Sequence, residues 1–270
     1  MKKSVFYSHI VTMAKQESIS VDEALQFARS VGYEGLDTDW MELSEDPDAF
    51  LSRIQAADMQ IASVNVFCDF VHHFSAEKMH DIFLTILRCG CKQVMIIPGF
   101  YSSPDNRSME SMRIIGALRE TCAIGEQLGM SVSIEDFDNP LSPCGKVEDV
   151  GFLLDAVPGL MHTLDTGNYA FFGQDMRNAL IQFADRIVHV HLKDRAVSPY
   201  LPGEEAILSV PGTPLYSAPV GCGYIPIEEC LAALKSRNYD GFMSAEFFGA
   251  SDMRTYLKQS SENIDRMLCI

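Results

Sequence analysis

Short apolar runs alternate with longer amphipathic segments along the whole chain. The short runs are rich in Val and Ile, as in QVMII at residues 93–97, which is typical of strands buried on both faces. The longer segments repeat apolar residues every three or four positions, which predicts helices. One of them begins at Ser20, has Glu23 in the capping-box position three residues later, and stops at Gly32.

The pattern resolves into eight strand–helix units. Strands are predicted at residues 4–9, 35–38, 60–68, 93–97, 131–135, 160–165, 187–191 and 241–246. Helices are predicted from Ser20 to the glycine at 32 and at residues 46–57, 76–88, 108–128, 147–156, 176–183, 227–236 and 252–267. Strands that alternate with helices form parallel β–α–β units, and eight such units in 270 residues predict a closed (β/α)8 TIM barrel.

An open, doubly wound sheet is the alternative α/β fold. Such a sheet often carries a glycine-rich phosphate turn after its first strand. Neither G-x-G-x-x-G nor G-x-x-x-x-G-K occurs at that position. No linker, low-complexity segment or change of composition divides the chain, so we predict a single domain over residues 1–270.

Side chains that can bind a metal end four consecutive strands of the second half: Glu135, Asp165, His191 and Glu246. The strands of a parallel barrel end at one rim, where barrel active sites lie. Taken singly, such a carboxylate is often a helix cap, and a lone strand histidine is often a core residue. Together, three carboxylates and an imidazole predict a site for one divalent cation, with Mn²⁺ preferred and Mg²⁺, Co²⁺ or Zn²⁺ as alternatives.

The residues two positions before these ligands share their inward face, because side chains alternate along a strand. They are Ser133, Thr163, His189 and Ser244, where a barrel core normally has Val, Ile or Leu. We predict a polar layer beneath the metal that orients its ligands. The alternative is that small residues there make room for bulky neighbours.

Further residues are expected to reach a substrate at the same rim. Lys193 and Arg195 follow the metal histidine and offer cations for substrate oxygens, unless they are solvated loop charges. His9 ends the first predicted strand, and Asn168 follows the sixth. Trp40 follows the second strand, where it could form an apolar wall for a sugar face or simply pack against the core.

The connection from Arg195 to Pro219 is long and contains four prolines before Pro219 itself. A loop of this length is usually functional or disordered. We expect a substrate lid or a contact between subunits, in a homodimer or a homotetramer.

Several segments resemble signature sequences of the xylose isomerase-like barrel superfamily. Its members include sugar phosphate isomerases/epimerases, ketose 3-epimerases, inosose dehydratases and endonuclease IV. The segments are SIEDF (133–137), LDTGNY (164–169), HVHLKDR (189–195) and SAEFFG (244–249), with VGYEGLDT (31–38) and VGCGYIPI (220–227) extending the resemblance over nearly the whole chain.

The resemblance implies that Glu135, Asp165, His191 and Glu246 bind the metal, and that the two glutamates face opposite sides of a bound sugar. One glutamate would remove a proton next to a carbonyl and the other would return it, through a metal-stabilised enediolate. The expected activity is that of a sugar or sugar phosphate isomerase/epimerase. A dehydratase of the inosose type is the alternative. A non-catalytic sugar-binding barrel is disfavoured, because binding alone needs no pair of opposed carboxylates.

The endonuclease branch does not fit this chain. Its trinuclear zinc cluster needs extra histidines, where this chain has Ile97 and Asn168, and an Asp-x-His pair, where it has Leu215 and Ser217. The formal net charge of −16 also opposes binding to nucleic acid and to anionic membrane surfaces. We therefore expect a small sugar or polyol as the partner.

The chain has neither a recognisable signal peptide nor an apolar run of roughly 20 residues that could span a bilayer. Its eight cysteines form no C-x-x-C pair, which favours buried thiols in a reducing cytoplasm over disulfides or a zinc–thiolate site.

Overall fold

Eight parallel strands close into a barrel in the computed structural model, which describes residues 1–269. The strands of the chain are Lys2–Phe6 (β1), Gly35–Asp39 (β2), Gln60–Phe67 (β3), Gln93–Ile97 (β4), Ser131–Glu135 (β5), Met161–Asp165 (β6), Ile187–Ala196 (β7), Ile207–Leu208 (β8), Pro214–Ala218 (β9) and Phe242–Glu246 (β10). Strands β1 to β7 pair in sequence, and β10 closes the barrel between β7 and β1. The predicted (β/α)8 TIM barrel is confirmed.

Helices surround this barrel. They are Tyr7–Glu17 (α1), Val21–Ser30 (α2), Trp40–Ser44 (α3), Pro47–Ala56 (α4), Ala76–Arg88 (α5), Arg107–Leu128 (α6), Val147–Ala156 (α7), Met176–Gln182 (α8), Ile227–Ser236 (α9) and Met253–Leu268 (α10). The capping box at Ser20 and Glu23 is present at the start of α2. No helix within residues 1–269 is long and apolar enough to cross a membrane.

The main apolar core lies between the barrel strands and the helices. Leu36, Val94 and Ile134 are fully buried on their strands, as are Ile10 and Leu257 on the helices packed around the barrel. This arrangement leaves the inward face of the barrel to other side chains, many of which are polar. All eight cysteines are free thiols, and five of them are buried.

The first predicted strand is wrong at its end. Strand β1 stops at Phe6, and Tyr7 begins α1, a helix that the sequence pattern did not predict. Tyr7, Ile10 and Met13 repeat at helical spacing and are buried, so packing against the barrel favours a helix here. His9 consequently lies in a helix and does not end a strand.

The connection after β7 is also more ordered than expected. Strand β7 continues to Ala196 instead of ending at His191, and β9 pairs antiparallel with its last three residues. Strand β8 then pairs with β9 to complete a hairpin. The function of this hairpin as a lid or a subunit contact stays a prediction.

A buried carboxylate holds the turn between β9 and α9. The Asp194 side chain accepts hydrogen bonds from four backbone N–H groups, those of Arg195 (2.8 Å), Gly221 (2.9 Å), Gly223 (2.8 Å) and Ile225 (3.2 Å). A Cβ atom at residue 223 would overlap this carboxylate, so glycine is required there. Asp194 therefore fixes both the turn and the backbone beside Arg195.

We expect Asp194→Asn to destabilise the protein by roughly 2–4 kcal/mol, because an amide NH₂ would face backbone donors in a buried turn. Urea unfolding measures the change. Asp185→Asn is the matched control, since Asp185 is exposed. Equal stability of Asp194→Asn and the native chain would show that the turn does not depend on the carboxylate.

Candidate metal centre

The four predicted metal ligands meet inside the C-terminal rim of the barrel. Glu135, Asp165 and Glu246 end their strands, and His191 lies within β7. One potential ligand atom from each lies within 4.8 Å of the other three, and all four residues are buried. Parallel strands deliver their ends to one rim, which is why residues so far apart in sequence converge.

One imidazole nitrogen lies between the two glutamates. Nδ1 of His191 is 2.5 Å from Oε1 of Glu135 and 3.4 Å from Oε2 of Glu246. Within residues 1–269, Oε2 of Glu246 is a buried acceptor without a hydrogen bond. Since such a group is costly without a partner, this arrangement fits a cation.

Asp165 is oriented by its own backbone turn. Its Oδ1 accepts hydrogen bonds from the N–H groups of Gly167 and Asn168, both at 2.7 Å. Its Oδ2 forms an ion pair with Lys193 at 3.1 Å and has no hydrogen-bond partner among the described residues. One carboxylate oxygen is thus fixed by the fold while the other is available to the cluster. Three oxygen donors and one nitrogen, partly unpaired and buried, fit a divalent ion.

The electrostatics of the cluster agree with this fit. Burial raises the pKa of Glu135 above its usual range, although His191 opposes the shift. Burial also raises the pKa of Asp165, to about 6, and the nearby Glu246 adds to the effect. The buried carboxylates are therefore short of positive charge, which a divalent ion would supply.

Lys193 lies beside the cluster, with two carboxylate oxygens and one amide oxygen around its ammonium group. Its Nζ is 2.6 Å from Oε1 of Glu246, 2.7 Å from Oδ1 of Asn168 and 3.1 Å from Oδ2 of Asp165. Burial disfavours the charged ammonium, but Asp165 and Glu246 outweigh this cost and raise the pKa of Lys193. The extension of β7 explains the placement, because residues at alternate positions of one strand share a face.

Asp37 is a functional candidate that was not predicted from the sequence. Its Oδ2 lies 2.6 Å from Nε2 of His189 and 3.2 Å from Nε2 of His191. Burial would raise the pKa of Asp37, but the two histidines outweigh it and hold the pKa low. This contact holds one nitrogen of His191 and leaves Nδ1 facing the glutamates. The available signal in the sequence was an aspartate within the predicted second strand, where a buried charge needs a partner.

The predicted polar layer lies inside the barrel. Ser133, Thr163, His189 and Ser244 are all buried. Oγ of Ser133 and Oγ1 of Thr163 are 2.7 Å apart, and His189 binds Asp37. The hydroxyl of Ser244 has no hydrogen-bond partner among the described residues. Their role in orienting the metal ligands stays a prediction.

A pocket of about 280 Å³ opens above the cluster. Glu135 and Glu246 lie at its wall, as do Asn168, Lys193 and Arg195. Four phenylalanines also line it: Phe6, Phe67, Phe137 and Phe248. The pocket therefore joins a charged wall to apolar walls, an arrangement suited to a polar molecule with an apolar face.

The structure does not bring His9 or Trp40 to this pocket. His9 is buried in α1, stacks on Phe247 at 4.7 Å between ring centroids, and accepts the Phe247 N–H. Burial, assisted by the charge of Lys193, lowers the pKa of His9 to about 3. Trp40 begins α3 and packs against the apolar core. Because helices begin at Tyr7 and at Trp40, the side chains of His9 and Trp40 make structural contacts.

Comparison with known families identifies the fold. The model of the xylose isomerase-like TIM barrel family matches residues 25–267. The chain belongs to this family. The resemblance seen in the sequence is thereby confirmed. No curated protein sequence matches the chain significantly.

Three solved structures illustrate the relationship. A probable 3-DHS dehydratase of Bacillus anthracis, AsbF, involved in petrobactin synthesis, is 20% identical with a TM-score of 0.75, covering 98% of this chain and 99% of that one. The IolI protein with a bound zinc atom is 16% identical (TM-score 0.74, coverage 99% and 98%). D-psicose 3-epimerase of Clostridium cellulolyticum H10 is 14% identical (TM-score 0.71, coverage 99% of both chains). At such identities these structures share the fold with this chain.

Proposed function

We propose that this chain is a divalent-metal-dependent sugar isomerase/epimerase that moves a proton at a carbon next to a carbonyl. The observation that supports this most is the placement of Glu135 and Glu246. They come from strands separated by two others, share one buried cluster with His191, and both line the same pocket. A binding protein would have no need to bury two carboxylates at such cost.

The metal would be held by Glu135, Asp165, His191 and Glu246, with Mn²⁺ preferred for three oxygens and one nitrogen and Mg²⁺, Co²⁺ or Zn²⁺ as alternatives. When bound, it would supply positive charge to the carbonyl and hydroxyl oxygens of the substrate as these become negative. That stabilisation is what makes the adjacent C–H bond acidic enough for a carboxylate.

The two glutamates do the proton transfer in this proposal. Burial raises the pKa of Glu135, which strengthens it as a base when it is ionised. Glu246 forms an ion pair with Lys193 and would stand on the other side of the substrate. Return of the proton from the second face of the same carbon gives an epimer, and its delivery to the neighbouring carbon gives an isomer.

The other pocket residues position the substrate and limit access of water. Lys193 and Asn168 present polar atoms beside Glu246 and Asp165. Phe6 and Phe137 provide apolar walls close to the reacting groups. A less polar surrounding strengthens each electrostatic interaction with the developing negative charge.

A dehydratase is the second candidate, and the position of Lys193 favours it. Its ammonium lies 2.6 Å from Oε1 of Glu246, so a base and a proton donor are adjacent. After a glutamate removes the proton next to the carbonyl, Lys193 could protonate a departing β-hydroxyl. The same cluster would then release water instead of returning the proton to carbon.

Incubation in D₂O with Mn²⁺ separates these reactions. The protein is offered a panel of ketoses and inososes, and the products are followed by NMR and mass spectrometry. We expect isomerised or epimerised sugar that carries one deuterium. A product lighter by one water would establish the dehydratase instead, and binding without exchange or dehydration would contradict both enzymatic proposals.

A further inference from the structure

Arg195 forms an ion pair in the wall of the pocket. Its Nη2 lies 2.7 Å from Oδ2 of Asp138, and both residues line the pocket. The Arg195 side chain is 8% exposed and that of Asp138 is 21% exposed. Because this pair is largely screened from bulk water, its charges compensate each other more strongly than those of a surface pair. Asp138 therefore removes much of the attraction that Arg195 would offer to an anion.

Lys193 is no freer than Arg195. Its ammonium already faces Glu246, Asp165 and Asn168. Lys193 and Arg195 are the cationic side chains among the described residues that line this pocket. Each of them is thus matched to at least one carboxylate before any substrate enters.

The pocket and its floor carry an excess of formal negative charge. The residues that line the pocket, together with the four candidate metal ligands, include five carboxylates against the two cations: Asp39, Glu135, Asp138, Asp165 and Glu246. Three negative charges remain in excess, so even a divalent ion would leave an excess of one. The whole chain, at a formal charge of −16, also repels anions at longer range. A phosphate dianion would enter against this field.

The remaining walls suit an uncharged ring or chain. Phe6, Phe137 and Phe248 line the pocket together with Met95 and Ile97. The C–H face of a polyol can pack on such surfaces while its oxygens turn to the charged wall. Shape and charge thus favour the same kind of molecule.

We propose that this pocket selects an uncharged keto-polyol and that Asp138 sets this selection by neutralising Arg195. The keto group rests on the proposed function, whereas the selection by charge does not. In consequence, phosphate esters and carboxylated analogues of the substrate bind poorly to the native chain. Removal of the Asp138 charge makes Arg195 available to them.

Binding of matched sugars tests the proposal. Calorimetry on the Mn²⁺-saturated protein compares D-fructose, D-tagatose and D-psicose with their 6-phosphates. We expect at least one neutral sugar to bind about 10-fold or more tightly than its phosphate, a ratio that corresponds to about 1.4 kcal/mol. Equal or tighter binding of the phosphates, or failure of every neutral sugar to bind, would overturn the proposal.

Asp138→Asn tests the assigned residue, because it keeps an oxygen for Arg195 and removes the charge. We expect it to improve phosphate binding about 5-fold or more relative to the neutral sugar. Adding Arg195→Gln to Asp138→Asn should restore the native preference, because the unpaired cation is then removed. Restoration in the double variant would also show that the change in Asp138→Asn does not come from loss of the fold. Asp175→Asn is the matched control. Asp175 forms an ion pair with Arg177, with 2.9 Å between the charged atoms, and neither residue lines this pocket. An unchanged ratio in Asp138→Asn would show that Asp138 does not set the selection.

The two proposals fail in different ways. Neutral sugars that bind selectively but never exchange a C–H proton in D₂O would remove the proposed isomerase while leaving the selection by charge intact. Faster exchange on a phosphate ester than on its neutral partner would remove the selection and leave the isomerase intact.

Discussion

Glu135→Gln and Glu246→Gln are each expected to lower kcat by about 10³-fold, within the range found for loss of a general acid or base. Glutamine keeps the shape of the side chain and an oxygen donor, but it cannot take a proton from carbon. Steady-state rates on the substrate found by deuterium exchange, with Mn²⁺ at saturation, measure the effect. Because both glutamates also belong to the candidate metal cluster, the bound metal content of each variant is measured alongside.

The two variants also separate the two steps. A variant that still exchanges deuterium but forms no product has kept the base and lost the acid. Glu120→Gln provides the control, since Glu120 is exposed on α6 and should leave kcat unchanged. Full turnover by both Glu135→Gln and Glu246→Gln would exclude proton transfer by these residues.

Asp37 variants are expected to show the second large effect, on metal affinity. Asp37 contacts Nε2 of both His189 and His191. Loss of such a partner of a metal-binding histidine typically weakens the metal by about 10–100-fold. We expect Asp37→Ala to weaken Mn²⁺ more than Asp37→Asn does, because asparagine keeps an acceptor oxygen. Isothermal calorimetry gives the two affinities.

Loss of stability must be separated from loss of metal affinity in these variants. Urea unfolding of the metal-free variants reports the stability change separately, because Asp37→Ala also leaves two buried histidines without their acceptor. Asp58→Asn is the control, since Asp58 pairs with Arg29 at the surface. Native Mn²⁺ affinity in both Asp37 variants would mean that Asp37 does not orient His191.

The barrel could be predicted because its signal is local and repeated. Strands such as β4 and β5 and helices such as α5 and α7 have the predicted bounds, since each strand is a short apolar run between turn residues. The convergence of the candidate ligands could be predicted for a related reason. Once the strands are parallel, their last residues must meet, so Glu135, Asp165 and Glu246 follow from strand ends alone.

Other features depend on contacts between distant parts of the chain. Asp37 binds His189 across 152 positions, and no local pattern pairs these two residues. Asp138 likewise meets Arg195 across 57 positions. The continuation of β7 to Ala196 requires the antiparallel partner β9, which lies in a segment that read as a proline-rich loop.

The start of the chain shows how one element can mislead. Residues 4–9 include Val5, Phe6 and Tyr7, which favour a strand, but the buried Tyr7, Ile10 and Met13 belong to a helical stripe. Only packing decides between the two patterns in so short a window. Because residues 7–17 form a helix, His9 contacts Phe247 instead of the pocket.

The central claim is that one divalent ion binds among Glu135, Asp165, His191 and Glu246. Anomalous diffraction at the manganese edge, on crystals grown with Mn²⁺, locates the ion without knowledge of the substrate. We predict one strong peak within bonding distance of these four side chains, and loss of that peak in His191→Ala. A peak at Asp37 and His189 instead, or no peak within the rim of the barrel, would contradict the account.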